Sequence, residues 1–232
     1  MNINYETISH EKKSGEILKN EIKNIKVFYR RIEKNEVYKV AHEESYARII
    51  ILSGGEININ GNILKNRGIS AFLPDYQVDI LGIEDSLLIE VCVKTDVSMA
   101  DKSKLPYFLD YEDAVQYKED CKSEKTINRF LLKQRIIPDI AIGSVETYGP
   151  DRVGEHTHPD VEQLFFGFSE NDMVLLIDGE EVSMPGNTLV HIPLGSNHGV
   201  IVREGQCAHY VWMDYVINPK GLEYLDMAHE TE

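Results

Sequence analysis

Short runs rich in Ile, Val and Phe, separated by clusters of Gly, Asn, Asp and Pro, recur along most of this 232-residue chain. Segments too short to be helices and bounded by hairpin-type turns have one economical solution, antiparallel pairing. The first group of runs covers 47–52, 56–60, 69–73, 78–81 and 87–94. It is punctuated by Ser53-Gly54-Gly55, Asn60-Gly61-Asn62, Asn66-Arg67-Gly68 and Leu73-Pro74-Asp75. After a stretch with few apolar residues the rhythm resumes at 130–137, 140–147, 163–168, 173–177, 181–184 and 188–192. A long run follows at 198–216, which Arg203-Glu204-Gly205 should divide in two. The fold class expected is therefore all-β, an antiparallel barrel or sandwich.

The two groups echo one another. Gly54 to Gly61 followed by Ile69 to Pro74 parallels Met173 to Gly179 followed by Gly186 to Pro193, each reading as strand, hairpin, strand, then a terminating proline. This suggests an internal duplication. The expected organisation is an N-terminal arm at 1–40, a first β domain at 41–98, a linker at 99–128 and a second β domain at 129–232. Within the arm, Ile17, Leu18, Ile22, Ile25 and Val27 have spacings that partly suit a helix after Ser14-Gly15, so a helical or irregular segment is expected. A short helix is expected in the linker around Tyr111 to Asp120.

Composition narrows the function classes. A formal net charge of −15 repels phosphate backbones, which argues against nucleic acid as partner. No apolar run approaches the ~20 residues that span a bilayer, and the start carries no leader-like pattern, so a cytoplasmic protein is expected. Cys92, Cys121 and Cys207 form no Cys-x-x-Cys pair and suggest neither a disulfide framework nor a thiolate zinc site.

Histidine is unevenly placed: five of the eight lie between His156 and His209. In the segment from Gly154 to Glu162, His156 and His158 are two apart on an expected strand, so both side chains leave the same face. Pro159-Asp160 then turns the chain and can return Glu162 to the same point, with Gln163 as the rival third ligand. Pro193, Gly195 and His198 form a tight turn that delivers a further histidine. Imidazoles plus a carboxylate suit one divalent ion (Mn, Fe, Zn, Ni or Co) and leave positions open for water or substrate. Tyr148, Tyr210 and His191 are candidate catalytic groups. Arg135, Lys133 and Asp214 are further polar candidates, and His191 and His209 are also readable as core or ligand-orienting residues.

With these residues the chain resembles the cupin superfamily. Gly154, His156, His158, Glu162 and Gly167 match its first motif, and Gly186, Pro193, Gly195 and His198 its second. The resemblance implies a bicupin of two jelly-roll β-barrels, with one metal in the second. The first barrel offers only His42, and its 74–78 turn has no histidine, so it is expected to be a degenerate cupin without metal. The function implied is a metal-dependent enzyme acting on a small polar substrate, of the sugar or uronate isomerase or lyase type. The alternatives are an Fe- or Mn-dependent dioxygenase and a non-catalytic ligand-binding cupin. A homodimer is a further expectation from the same resemblance.

Overall fold

The computed structural model describes residues 3–9, 11–119 and 121–228. Among them only Pro219–Ala228 is an α-helix; the rest is strand, turn and short 3-10 segments. The chain divides into two compact units. One contains Tyr5–Thr7, residues 115–134 and everything from 139 onward; the other contains 9–114 and 135–138.

In the C-terminal unit the larger layer runs, in spatial order, Tyr5–Thr7, Thr188–Ile192, Val161–Gly167, Cys207–Val216, Ile140–Tyr148, Ile127–Leu132 and Val115–Tyr117. The second layer runs Asp151–His156, His198–Val202, Asp172–Ile177 and Glu180–Pro185. Alternation along these strands sends Val145, Phe165, Leu175, Val200 and Tyr210 into one shared core. The expected division at Arg203-Glu204-Gly205 falls between His198–Val202 and Cys207–Val216, with Gly205 at φ +81°.

The N-terminal unit repeats the plan. Its larger sheet is Tyr107–Leu109, Ile69–Phe72, Tyr46–Gly54, Ser86–Lys94, Ile25–Ile32 and Ser14–Ile17; its smaller one is Val37–Lys39, Asp79–Gly82, Ile57–Ile59 and Asn62–Leu64. Nine successive strands of each unit follow the same chain order with the same neighbours, so the duplication suspected from turn patterns is present in the topology. Both units also close a hairpin on two residues of positive φ, Asn60-Gly61 (51° and 95°) and Asp178-Gly179 (50° and 85°). Those values are the geometry that Asn-Gly and Asp-Gly favour.

Two expectations fail in the connecting regions. The segment expected to be helical or irregular is instead the antiparallel pair Ser14–Ile17 and Ile25–Ile32. The helical spacing of Ile17, Leu18, Ile22 and Ile25 arose by counting across a turn in which Leu18, Asn20 and Asn24 all have positive φ. The operative signal is the two-residue alternation of Ile25, Val27 and Tyr29, all buried, against Lys26, Phe28 and Arg30. The linker helix is a single 3-10 turn, Tyr111–Asp113, after which Val115–Tyr117 pairs with Ile127–Leu132. Asp120 lies outside the described residues. No helix among those described is long and apolar enough to cross a membrane.

One glycine fixes the inner wall of the C-terminal unit. A Cβ on Gly143 would lie 2.2 Å from Trp212 Cζ2 and 2.6 Å from the Arg129 carbonyl oxygen, and the backbone atom cannot step aside. Gly143→Ala is therefore expected to cost about 3 kcal/mol by overpacking. It should also shift the emission of Trp212, the only tryptophan in the chain. Unchanged stability and emission would contradict this packing.

Candidate metal centre

His156 ends the strand Asp151–His156, and a bulge sets its direction. Val153 pairs with Val200 and His156 with His198, so three steps on one strand face two on the other. Such a bulge re-aims the side chain that follows it. His158 lies two residues further along, before the Pro159-Asp160 turn. His198 begins the next strand after Gly195, which adopts φ +73° in the turn that Pro193 opens. It is clasped on both sides, pairing with His156 and with Ile177.

The three rings converge. Their potential ligand atoms all lie within 4.8 Å of one another, and the centroids are 4.6 Å (His156–His198), 4.8 Å (His156–His158) and 5.2 Å (His158–His198) apart. His156 Nδ1–H donates to the Gly154 carbonyl at 2.8 Å, and His198 Nδ1–H to the Ser196 carbonyl at 3.1 Å. These bonds fix the tautomer and leave each Nε2 with a lone pair. His158 Nδ1 is 2.9 Å from the Tyr224 hydroxyl. Burial, and then the neighbouring His156, hold the His198 pKa down to about 4, so this ring is neutral at physiological pH. Its Nε2 is buried without a hydrogen-bond partner among the described residues. A fixed, neutral, unpartnered imidazole nitrogen facing two other imidazoles is the donor set a divalent metal requires.

Glu162 is not brought to this cluster. On the strand Val161–Gly167 the inward positions are Val161, Gln163 and Phe165, whereas Glu162 projects from the opposite face. There His191 Nε2–H donates to Glu162 Oε2 at 2.9 Å. The candidate catalytic His191 is thus occupied away from the cavity. Gln163 faces the histidines' cavity, and its amide donates to Asp214 Oδ1 at 2.7 Å. Tyr210 and Asp214 both line the cavity. Tyr148 is 66% exposed at a strand end and does not. Lys133 lies over the Phe130 ring, and neither it nor Arg135 is among the cavity residues. His209 pairs with Glu170 at 2.6 Å.

The cavity beside the three histidines has a volume of about 380 Å³. Phe165, Trp212 and Val153 form its apolar walls, and it includes two groups of residues that sequence reading passed over. One is a strap that contributes Lys118, Glu119, Cys121 and Lys122, tied down where Gly154 N–H donates to the Cys121 carbonyl at 2.8 Å. The other is Tyr224 on the C-terminal helix. The signal for that helix was present: Asn218 Oδ1 accepts from Lys220 N–H at 2.9 Å as an N-cap, with Pro219 at the first helical position.

The matching positions of the N-terminal unit have other side chains. Lys39 pairs with Asp79 where His156 pairs with His198, and Arg48, third residue of its strand and paired with Cys92, stands where Gln163 pairs with Asp214. The Arg48 and Arg30 guanidiniums converge on the buried Glu90 carboxylate, Arg30 at 3.2 Å.

No family model matches the chain, and no curated protein matches its sequence. Solved structures do. A cupin 2 conserved barrel domain protein from Leptotrichia buccalis superposes with a TM-score of 0.61 at 16% identity, covering 93% of this chain and 98% of that one. A putative glyoxylate-induced protein from Pseudomonas aeruginosa gives 0.74 at 9% identity (88% and 80% covered). An oxalate decarboxylase from Lactobacillus farciminis, solved as a formate complex, gives 0.73 at 9% identity (94% and 87% covered). At such identities the likeness is one of backbone architecture, and that architecture is the fold of cupin-domain proteins.

Proposed function

We propose that this protein is an enzyme in which one divalent metal ion, held by His156, His158 and His198, acts on a small polar substrate in the adjoining cavity. The observation that carries the reading is the convergence of three imidazoles, with the buried Nε2 of His198 lacking a partner among the described residues. When bound, the metal would supply Lewis acidity, polarising a substrate oxygen and stabilising negative charge that develops there.

The chain's own residues supply groups for moving and holding protons. Burial pushes the Asp214 carboxyl up to about 7, against the opposing hydrogen bond from Gln163, so it can hold or release a proton near neutrality. Burial also raises the Tyr210 phenol, which therefore stays protonated as a potential donor. Phe165 and Trp212 limit the water in contact with this space. Such acid–base groups beside a Lewis acid support isomerase or lyase chemistry.

Trp212 lines the cavity and supplies the assay. Titrating metal-free protein with Co²⁺ is expected to quench its fluorescence and saturate at one ion per chain. Saturation near two would overturn the single-site reading, because Lys39 and Asp79 stand in the N-terminal unit where His156 and His198 stand in the C-terminal one. Sugars, uronates and hydroxy acids should then be screened under anaerobic conditions. Turnover without oxygen supports the proposal. Turnover that appears only in air, with oxygen consumed in step with product, would replace it with a dioxygenase, and tight retention of a ligand without turnover would replace it with a binding protein.

A further inference from the structure

Lys122 contributes to the cavity a charge that the chemistry above leaves unused. Its side chain is only 6% exposed, and its ammonium contacts Glu119 Oε2 at 2.8 Å. An ammonium has three N–H donors, and Glu119 is its only acceptor among the described residues.

The strap that carries Lys122 is fixed at several points. Besides the Gly154–Cys121 bond, Lys118 Nζ donates to the carbonyls of Glu124 (2.6 Å) and Thr126 (3.2 Å). The hydroxyls of Ser123 and Thr126 donate to Asp151 Oδ2 at 2.9 and 3.1 Å. A buried ammonium with spare donors is costly, and preorganisation of this kind suits an anion. Charge accounting points the same way. Among the lining residues, Lys118 and Lys122 offset Glu119 and Asp214, so a bound divalent cation leaves a positive interior in a chain whose formal net charge is −15.

We infer that Lys122 binds a carboxylate, and that the substrate is a small acid carrying this group within a short molecule's reach of the oxygens that meet the metal. The inference rests on the metal site proposed above. Lys122 acts here as a binding residue, and Glu119 holds its ammonium in place until the ligand arrives.

The test uses the full chain with malonate as probe and malonamide as its uncharged counterpart. Both are titrated calorimetrically into Co²⁺-loaded and metal-free protein, with metal content measured in every sample. Loaded wild type should bind malonate at least tenfold more tightly than malonamide. Lys122→Met should erase that preference while keeping one metal per chain, Lys122→Arg should retain part of it, and Glu119→Gln should strengthen malonate binding by releasing the ammonium. Equal malonate affinity in wild type and Lys122→Met, or no malonate binding by wild type, would overturn the carboxylate assignment while the measured metal content upholds the metal site. Conversely, Lys122-dependent malonate binding in a protein that takes up no metal would remove the metal reading and leave the carboxylate site standing. Malonate binding unchanged in Glu119→Gln, with the Lys122→Met loss intact, would overturn only the role given to Glu119.

Discussion

His198→Ala is expected to lower metal affinity by a factor of roughly a hundred or more, leaving purified protein essentially free of metal by elemental analysis. The structure also predicts that this variant stays folded. Removing the ring loses packing against Phe165, whose centroid is 5.8 Å away. It also removes a buried nitrogen with no partner, which in the metal-free protein is a standing desolvation cost. The two effects oppose each other, so the metal-free stability should change by no more than about 1 kcal/mol. His158→Ala should lose metal in the same way, whereas Glu162→Ala should leave metal content unchanged, because Glu162 belongs to the opposite face of its strand. Full metal content in His198→Ala, or its loss in Glu162→Ala, would disprove the ligand set.

The second large effect concerns pH. Burial raises the Asp214 carboxyl from an unfolded value of 3.8 to about 7, so between those limits the folded protein holds a proton that the unfolded chain releases. The sign follows from linkage: this contribution is complete below about pH 4 and is lost as pH rises towards 7, by roughly 4 kcal/mol in all. Asp214→Asn cannot ionise and keeps an oxygen that can accept from Gln163. In denaturant titrations of metal-free protein followed by Trp212 emission, the stability of the variant relative to wild type should therefore rise between pH 4.5 and 8. A difference that stays flat over that interval would show that Asp214 is ionised throughout.

Much of the fold was legible because strand and turn signals are local. The Asn60-Gly61 and Asp178-Gly179 hairpins, and the break at Arg203-Glu204-Gly205, each rest on residues whose backbone preferences act within the turn. The histidines were legible for a related reason: two of them sit two residues apart, and the third follows a Pro–Gly turn. The choice between Glu162 and Gln163 was not legible. It depends on the strand's phase after Asp160, which has φ 63°, and a one-residue change of phase exchanges the two faces. Lys122 escaped notice because it comes from a connecting strap with no periodicity, and only its tertiary anchors bring it to the site. The C-terminal helix was missed although Asn218-Pro219 announces it.

The repeated nine-strand frame bears on how this protein would meet the metal proposed for it. In the N-terminal unit the same ladder stands with Lys39, Arg48 and Asp79 at the matching positions and with two arginines, Arg30 and Arg48, on the buried Glu90. A frame that folds around such different interiors does not owe its shape to a cation. On this view the proposed ion would be a tenant of the C-terminal unit and not one of its pillars. The chain could then be made and folded in full during scarcity, and the proposed activity would rise and fall with metal supply and not with the amount of protein.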